Sequence, residues 1–580
     1  MPNYPDLPNP DLLDRIPPDA GTVLDVGCGR GALGEAYLGR NPRCRYLGIE
    51  SDPECAEAAA HRLSEVACVD VEATPLPFGA GPFDCIIYGD SLEHLRDPWG
   101  ILRRHAAALS ENGVLLICVP NAEHWSFAER LLAGRFAYED SGLFDRTHLR
   151  WFTQDSMRRA LEEASLSVVD VVPRVFAPER GEAFIQAMAP ALAALGVDVP
   201  EYRRRALPLQ HVWRAMHRPP PRLHLRASML DPVGGVSHVR IAQPCQALAS
   251  CAGVRTEILP ASWVATHQGV AVADGPAGEA RIFLLHRPVL TGPAGLAMVA
   301  GLIAEGWLVL CEFDDHPGVF PAMRQEELYS FRAVHAVQTS TTPLAAVLRP
   351  QNPEIAVFPN AIASLPSPVN FRDPGHLTML FAGINRSQEW PPYLAAINAV
   401  TALAGERLTI RVIADRGFFD ALDTPHKSFT PLCDYDTYLQ QLSTCEICFM
   451  PLRDNGFNRC KSDLKFIEAA AHRVVALASP TVYADAIEEG KTGLIFRTPA
   501  NLERQLLHLL AAPDRACILA EAARSVVAQH RMLGQQTVRR LAWYRSLWER
   551  RDELHQALVA RVPQLAGVPF GGRRDSVPLG

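Results

Sequence analysis

Short apolar runs alternate with segments of helical spacing along most of the chain. In the first third, Thr22 to Val26, Tyr46 to Glu50, Val66 to Asp70, Phe83 to Asp90 and Val114 to Val119 read as strands. Between them, segments such as Ala32 to Leu38 and the one ending at Ala108 place apolar residues on one helical face. Thr153 is placed to cap a further helix, and Val168 to Val172 is expected to close the sheet. The run Glu182 to Leu195 is helical, and Arg203-Arg204-Arg205 reads as a solvated basic surface. The pattern restarts after Arg218-Pro219-Pro220-Pro221-Arg222, where prolines stiffen the backbone and remove N–H donors. Strands are predicted at Leu223 to Met229, Thr256 to Leu259, Arg281 to Leu285, Leu308 to Glu312, Val334 to Gln338 and Ile355 to Phe358. A third set follows at Leu377 to Ala382, Leu408 to Ala414 and Cys445 to Met450, and the chain turns helical after Leu502.

Strands alternating with helices imply an α/β fold of three doubly wound, Rossmann-like domains. The expected boundaries are 1–217, a linker at 218–222, then 223–362 and 375–560, with carboxyl-terminal helices in the last. A chain of 580 residues fits three such cores, and 48% hydrophobic with 21% charged residues is the composition of a folded globular protein. The net charge of −8 gives no basic footprint, so nucleic acid is not an expected partner. No apolar run is long enough to span a bilayer, and the N-terminus lacks the segments of a secretory signal, so the cytoplasm is expected. Peripheral membrane contact and oligomeric state stay open. Among the 14 cysteines, Cys445 and Cys448 come closest to a metal or redox pair but lie in an apolar strand-like run with no second pair, and nearly all are read as reduced core thiols.

Candidate chemistry starts at Asp25-Val26-Gly27-Cys28-Gly29-Arg30-Gly31, a glycine turn between a strand and a helix. Bare backbone there admits a ligand, and the helix N-terminus offers unpaired N–H groups to its oxygens. The turn also fits a dinucleotide fingerprint loosely, which leaves an NAD-dependent oxidoreductase as an alternative. The D-x-G-x-G-x-G form, with acids at Glu50, Asp70 and Asp90 closing later strands, resembles the class I S-adenosylmethionine-dependent methyltransferases. That resemblance implies a cofactor site of Asp25, Gly27, Cys28, Gly29, Gly31, Glu50, Asp70, Val71 and Asp90. Glu50 would hold the ribose hydroxyls and Asp70 the adenine amino group. The segment Asp145 to Thr153 resembles the insertion that small-molecule methyltransferases place over the acceptor. His94 and His148 are the nearby side chains whose ordinary pKa suits removing a hydroxyl proton near neutrality; spacing does not choose between them.

The second half resembles the retaining GT-B glycosyltransferases. The residues that carry this are Val357-Phe358-Pro359-Asn360-Ala361, Phe381 to Arg386, and Cys460-Lys461-Ser462-Asp463-Leu464-Lys465-Phe466-Ile467-Glu468. The resemblance implies a nucleotide-sugar donor bound by Gly234, Gly235, Asn360, Gly383, Arg386, Lys461, Asp463, Lys465 and Glu468. Lys465 and Glu468 are three residues apart and share a helix face. His286, Asp314 and Asp315 are cleft candidates on the amino-terminal side; the paired aspartates invite a metal reading, but the resemblance favours catalysis without one, and no metal is expected. The chain departs from the pattern where Cys460 replaces an acid, which Asp463 would supply, and where a lysine after Arg386 is missing. Trp543 to Trp548 is expected to pack back across the amino-terminal lobe of this half. The sequence thus predicts a bifunctional transferase, methyl from S-adenosylmethionine and glycosyl from a nucleotide sugar. The alternative is one catalytic half joined to a binding or assembly module.

Overall fold

A computed structural model describes residues 6–232, 234–262, 278–325, 327–373 and 375–571. The chain forms two compact units, Met1–Pro221 with Ala249–Val254, and Arg222–Leu248 with Arg255–Gly580.

The first unit is built on a seven-stranded sheet. Its strands are β1 (Thr22–Val26), β2 (Arg45–Glu50), β3 (Glu65–Cys68), β4 (Phe83–Gly89), β5 (Leu109–Pro120), β6 (Ser167–Arg174) and β7 (Gln210–Met216), in the order β3-β2-β1-β4-β5-β7-β6. The first five run parallel. Strand alternation sends successive residues to opposite faces, and both faces are covered. Leu24, Leu47, Ile86, Tyr88, Leu115 and Ile117 enter a core with Met157 and Leu161, while Val23, Tyr46, Cys85, Ile87 and Leu116 enter another with Leu12, Leu13 and Tyr37. All candidate acids of this unit except Asp25 therefore emerge at or just beyond the carboxyl ends of β2, β3 and β4.

One strand was not expected. β7 lies between β5 and β6 and is antiparallel to both, so Ser167–Arg174 reaches the sheet only through it. The stretch hides its strand character because His211 and Arg214 stand among its apolar residues, yet both are buried, Arg214 against Asp170 at 3.1 Å. The basic triplet at 203–205 is committed to carboxylates: Arg203 to Glu182, Arg204 to Glu201, and Arg205 to Glu123 and Asp155.

The second unit contains two six-stranded sheets. One is formed by β8 (Leu223–Met229), β9 (Val254–Pro260), β10 (Ala280–His286), β11 (Leu308–Glu312), β12 (Ala336–Thr339) and β13 (Ile355–Val357), in the order β13-β12-β11-β10-β8-β9. The other is formed by β14 (Leu377–Ala382), β15 (Leu408–Ile413), β16 (Lys427–Thr430), β17 (Ile447–Met450), β18 (Val475–Ala478) and β19 (Leu494–Ile495), all parallel, in the order β16-β15-β14-β17-β18-β19. β16, β18 and β19 were not among the strands expected from the sequence. Between the sheets, Arg240 is fully buried and holds Glu312 at 2.8 and 3.0 Å, the Phe358 carbonyl and the Asn360 side chain. The carboxyl-terminal helices return to the first sheet of this unit, where Tyr544 donates to Gln338 and Leu558, Val562 and Leu565 join the core around Phe283 and Val309. No helix among the described residues is long and apolar enough to cross a membrane.

Candidate functional site

The glycine turn of the first unit is a left-handed run. Gly27, Gly29 and Gly31 have φ of +78°, +54° and +83°, a region that side-chain-bearing residues rarely adopt. A Cβ on Gly27 would lie 2.6 Å from that of Ser91, whose hydroxyl binds the Val26 carbonyl, so glycine is required there by packing. A Cβ on Gly29 would meet nothing within 4 Å, so that backbone faces open space. Glu50, at the end of β2, accepts from the Gly29 N–H at 2.9 Å and from the Ser51 and Asp52 N–H groups. Asp70 is exposed, accepts from the Glu72 N–H and lies 3.3 Å from Arg96. Asp90 sits at φ +56° beside Gln210, and burial pushes its carboxyl up to about 6. Val71 packs against the core and its carbonyl accepts from Arg104.

Two candidates point inward instead. The Asp25 carboxyl is 3% exposed, accepts from the Tyr46 hydroxyl at 2.9 Å, and is pushed by burial to about 7. It supports the turn from beneath. Cys28 is buried against Gly48, and burial pushes its thiol far above the usual range.

Beyond β4, His94 and His148 come together with their ring centroids 4.9 Å apart, and Glu93 joins them. Ligand-capable atoms of all three lie within 4.8 Å of one another. The His94 and His148 Nδ1 atoms face the Thr147 and Leu143 carbonyls at 3.1 and 3.2 Å, leaving Nε2 of each for other partners. Glu93 is 1% exposed, and neither carboxylate oxygen has a hydrogen-bond partner. Burial, together with the charges of Asp90 and Asp145, raises its carboxyl well above the usual range. Burial and the neighbouring His94 lower His148. Sequence reasoning missed Glu93, because nothing in Ser91-Leu92-Glu93-His94 marks the glutamate as the buried one.

In the second unit, the start of the helix Leu464–Ala471 meets the loop after β14. Lys465 donates to the Ala382 carbonyl, and burial with the nearby Arg386 charge pushes its ammonium down to about 8. Arg386 donates to Asn458 at 3.2 Å. Glu468 is buried, accepts from Tyr435 at 2.7 Å and Tyr438 at 3.0 Å, and is pushed by burial to about 7. The Tyr435 ring stacks on His238 at 5.2 Å and fills the space a Cβ on Gly235 would need. Gly234 lies at φ +65° beside Ile384, and Gly383 beside Phe381 and Arg386. Neither tyrosine was foreseen; both sit in an unremarkable amphipathic helix, Tyr435–Ser443.

Most of the remaining candidates already hold a protein partner. Asp314 binds Arg287 at 2.6 Å, and Asp315 binds Lys461 at 2.8 Å. Asp463, expected to stand in for the acid absent at Cys460, is gripped by Arg531 at 2.6 and 2.8 Å, and Arg531 also donates to the Asn360 carbonyl. Asn360 bridges Arg240 and Ser462. His286 is buried with Nε2 unpartnered, and burial pushes its imidazole down to about 4.

Comparison with known proteins bears on the first unit. A family profile described as a methyltransferase domain matches residues 6–171. The ubiquinone biosynthesis O-methyltransferase of Xanthomonas oryzae pv. oryzae is 30% identical over 189 residues, covering 30% of this chain and 76% of that protein. The malonyl-[acyl-carrier protein] O-methyltransferase of Acetivibrio thermocellus is 30% identical over 133 residues, covering 22% and 44%. Among solved structures, a methyltransferase from Archaeoglobus fulgidus aligns at TM-score 0.26 and 16% identity, over 36% of this chain and 90% of that one. S. aureus TarM, crystallised with fondaparinux, α-GlcNAc-glycerol and UDP, aligns at TM-score 0.36 and 11% identity over 45% of this chain, which spans 55% of TarM. Through its amino-terminal unit, where the glycine turn and the ends of β2 and β4 build the site above, the chain belongs to the methyltransferases.

Proposed function

We propose that the chain carries two transferase activities, methyl transfer from S-adenosylmethionine to an oxygen acceptor in the first unit and glycosyl transfer from a nucleotide sugar in the second. One observation carries the first. The open backbone at Gly29, the Glu50 carboxylate and the Glu93–His94–His148 cluster all stand at carboxyl ends of the parallel strands β1, β2 and β4, where ligands of such sheets bind. Glu50 is held in place by the Gly29, Ser51 and Asp52 N–H groups, and its carboxylate would accept from the hydroxyls of a nucleoside that lies along the open backbone at Gly29. S-adenosylmethionine supplies a methyl group on a sulfonium. The cluster of Glu93, His94 and His148 is where the acceptor hydroxyl gives up its proton, so that oxygen attacks carbon while the carbon–sulfur bond breaks. An oxygen acceptor is supported by the O-methyltransferase names of the relatives.

Titration calorimetry of the full chain tests this reading. S-adenosylhomocysteine should bind, and Glu50→Ala should weaken it by about 1.5–3 kcal/mol, the contribution of a charged hydrogen bond. Binding of NAD with none of S-adenosylhomocysteine would replace the reading by an oxidoreductase.

The glycosyl reading is supported by the meeting of Arg386, Lys465 and Glu468 at one helix start. Two cations at that place can receive the charge that develops on a departing diphosphate without a metal.

A further inference from the structure

We infer that Glu93, His94 and His148 form a divalent transition-metal site of the first unit. Two imidazoles and one carboxylate are a donor set that zinc-class ions and manganese share, and they come from separate segments, Leu92–His94 and the loop before Phe152.

The carboxyl is the first argument. A side chain 1% exposed with both oxygens unpartnered is costly in any charge state unless something compensates it. The closest basic atom, His148 Nε2, is 3.9 Å from Glu93 Oε1, too far for a hydrogen bond. A shared cation would satisfy all three groups at once. Orientation is the second argument. Each histidine spends Nδ1 on a backbone carbonyl, the outer contact that fixes a ligating imidazole, and leaves Nε2 as its free ligand atom. The surroundings are the third. Asp145, whose carboxylate accepts from the Thr147 N–H and hydroxyl, stands near both imidazoles, and Trp151 stands edge-on to His148 at 5.4 Å. These give the site negative charge on one side and an apolar wall on the other.

Ligands about 2.1 Å from a tetrahedral ion are about 3.4 Å apart. Against separations of 3.9 to 4.8 Å, the three atoms must close by about 0.5 to 1.4 Å, within the reach of side-chain rotation. Three protein ligands leave a coordination position open, as in catalytic rather than structural sites. This deepens, and for its catalytic consequence rests on, the oxygen-acceptor reading above. An acceptor hydroxyl at the open position loses its proton to solvent more readily. The oxygen–carbon bond then forms as the carbon–sulfur bond breaks, and S-adenosylhomocysteine leaves.

The test uses chelator-stripped full-length protein titrated with Co²⁺ and followed by d–d absorption. One Co²⁺ per chain is expected, with the absorption lost in Glu93→Gln and His94→Ala. S-adenosylhomocysteine affinity, measured on the same samples, reports that each variant is folded. Absence of Co²⁺ absorption in a wild-type protein that binds S-adenosylhomocysteine overturns the site, as does an unchanged spectrum in both folded variants. Full methyl transfer by the stripped enzyme overturns the catalytic role. Failure of S-adenosylhomocysteine to bind the wild type refutes the methyltransferase reading and leaves the Co²⁺ result to stand or fall by itself.

Discussion

Replacing Asp25 by asparagine should reverse its effect on stability between about pH 3.5 and pH 8. The carboxyl is held near 7 in the folded protein by burial, resisted by the Tyr46 hydrogen bond and assisted by the Glu50 charge, against 3.8 in an unfolded chain. Below about pH 4 both states keep the proton. Between the two values the folded state still holds a proton that the unfolded state has released, so stability falls as pH rises, and the whole penalty is present above about 7. A tenfold difference in proton affinity between the two states is worth about 1.36 kcal/mol, so the ceiling is about 4 kcal/mol. Asparagine cannot ionise, and its Oδ1 can still accept from Tyr46, but its amide N–H₂ is left buried at a cost of about 1–3 kcal/mol. The variant should therefore be less stable than wild type by about 1–3 kcal/mol near pH 3.5, where both states keep the proton, and more stable by about 1–3 kcal/mol at pH 8. Scanning calorimetry of the full chain measures this, with the first unit's transition identified as the one that S-adenosylhomocysteine moves. A change of the same sign and size at both pH values would mean that Asp25 is ionised throughout, and would refute the reasoning.

Gly27→Ala should lower the same transition by about 2–5 kcal/mol, from left-handed backbone and a 2.6 Å clash with Ser91, whereas Gly29→Ala should cost only the backbone part, about 1–2 kcal/mol, and act mainly on ligand affinity. Arg240→Met leaves Glu312 buried and unpaired, and should reduce the stability of the second unit by about 3–5 kcal/mol in a denaturant titration read by tryptophan fluorescence. Lys465→Ala should weaken nucleoside diphosphate binding at least about tenfold while nucleoside binding stays within about twofold, the pattern of a charged contact confined to the phosphates. Unchanged diphosphate affinity, or activity abolished by EDTA in the glycosyl reaction, would place the charge compensation elsewhere.

The glycine turn was legible because its three left-handed positions demand one residue type, and the strands because apolar runs of that length have few other structures open to them. β7 was not, since buried arginine and histidine carry no apolar signal until Asp170 supplies the partner from another strand. The pairing of His94 with His148 needed a loop closure 54 residues long, which no local pattern encodes. Glu93 needed the fold itself. Its neighbour His94 draws attention in the sequence, yet the glutamate is the one whose oxygens the structure leaves without partners. Lys465 and Glu468 were placed on one helix face by spacing alone, but what they meet, Ala382 and two tyrosines, comes from other segments.

The two units differ in how much of their polar chemistry is already spent. In the first, Gly29 faces open space and Glu93 has both oxygens free, so a ligand can bind by adding contacts. In the second, Lys465, Glu468, Lys461, Asp314, Asp315 and Asn360 each hold a protein partner, and at the carboxyl ends of β10 and β12 the buried atoms without a partner among the described residues include His286 Nε2, Thr339 Oγ1 and Ser340 Oγ. The donor nucleotide proposed for this unit would have to exchange contacts. Its ribose would take the place of the Tyr435 and Tyr438 hydroxyls on Glu468, and its phosphates the place of the Ala382 carbonyl on Lys465. Each exchange trades one hydrogen bond for another of similar strength, so affinity must come from the diphosphate charge, against which the backbone carbonyl is a weak competitor. Nucleoside alone gains nothing from that exchange. On the proposed glycosyl reading, therefore, donor binding would depend on Arg386 and Lys465 more than on the glutamate that sequence spacing makes their companion.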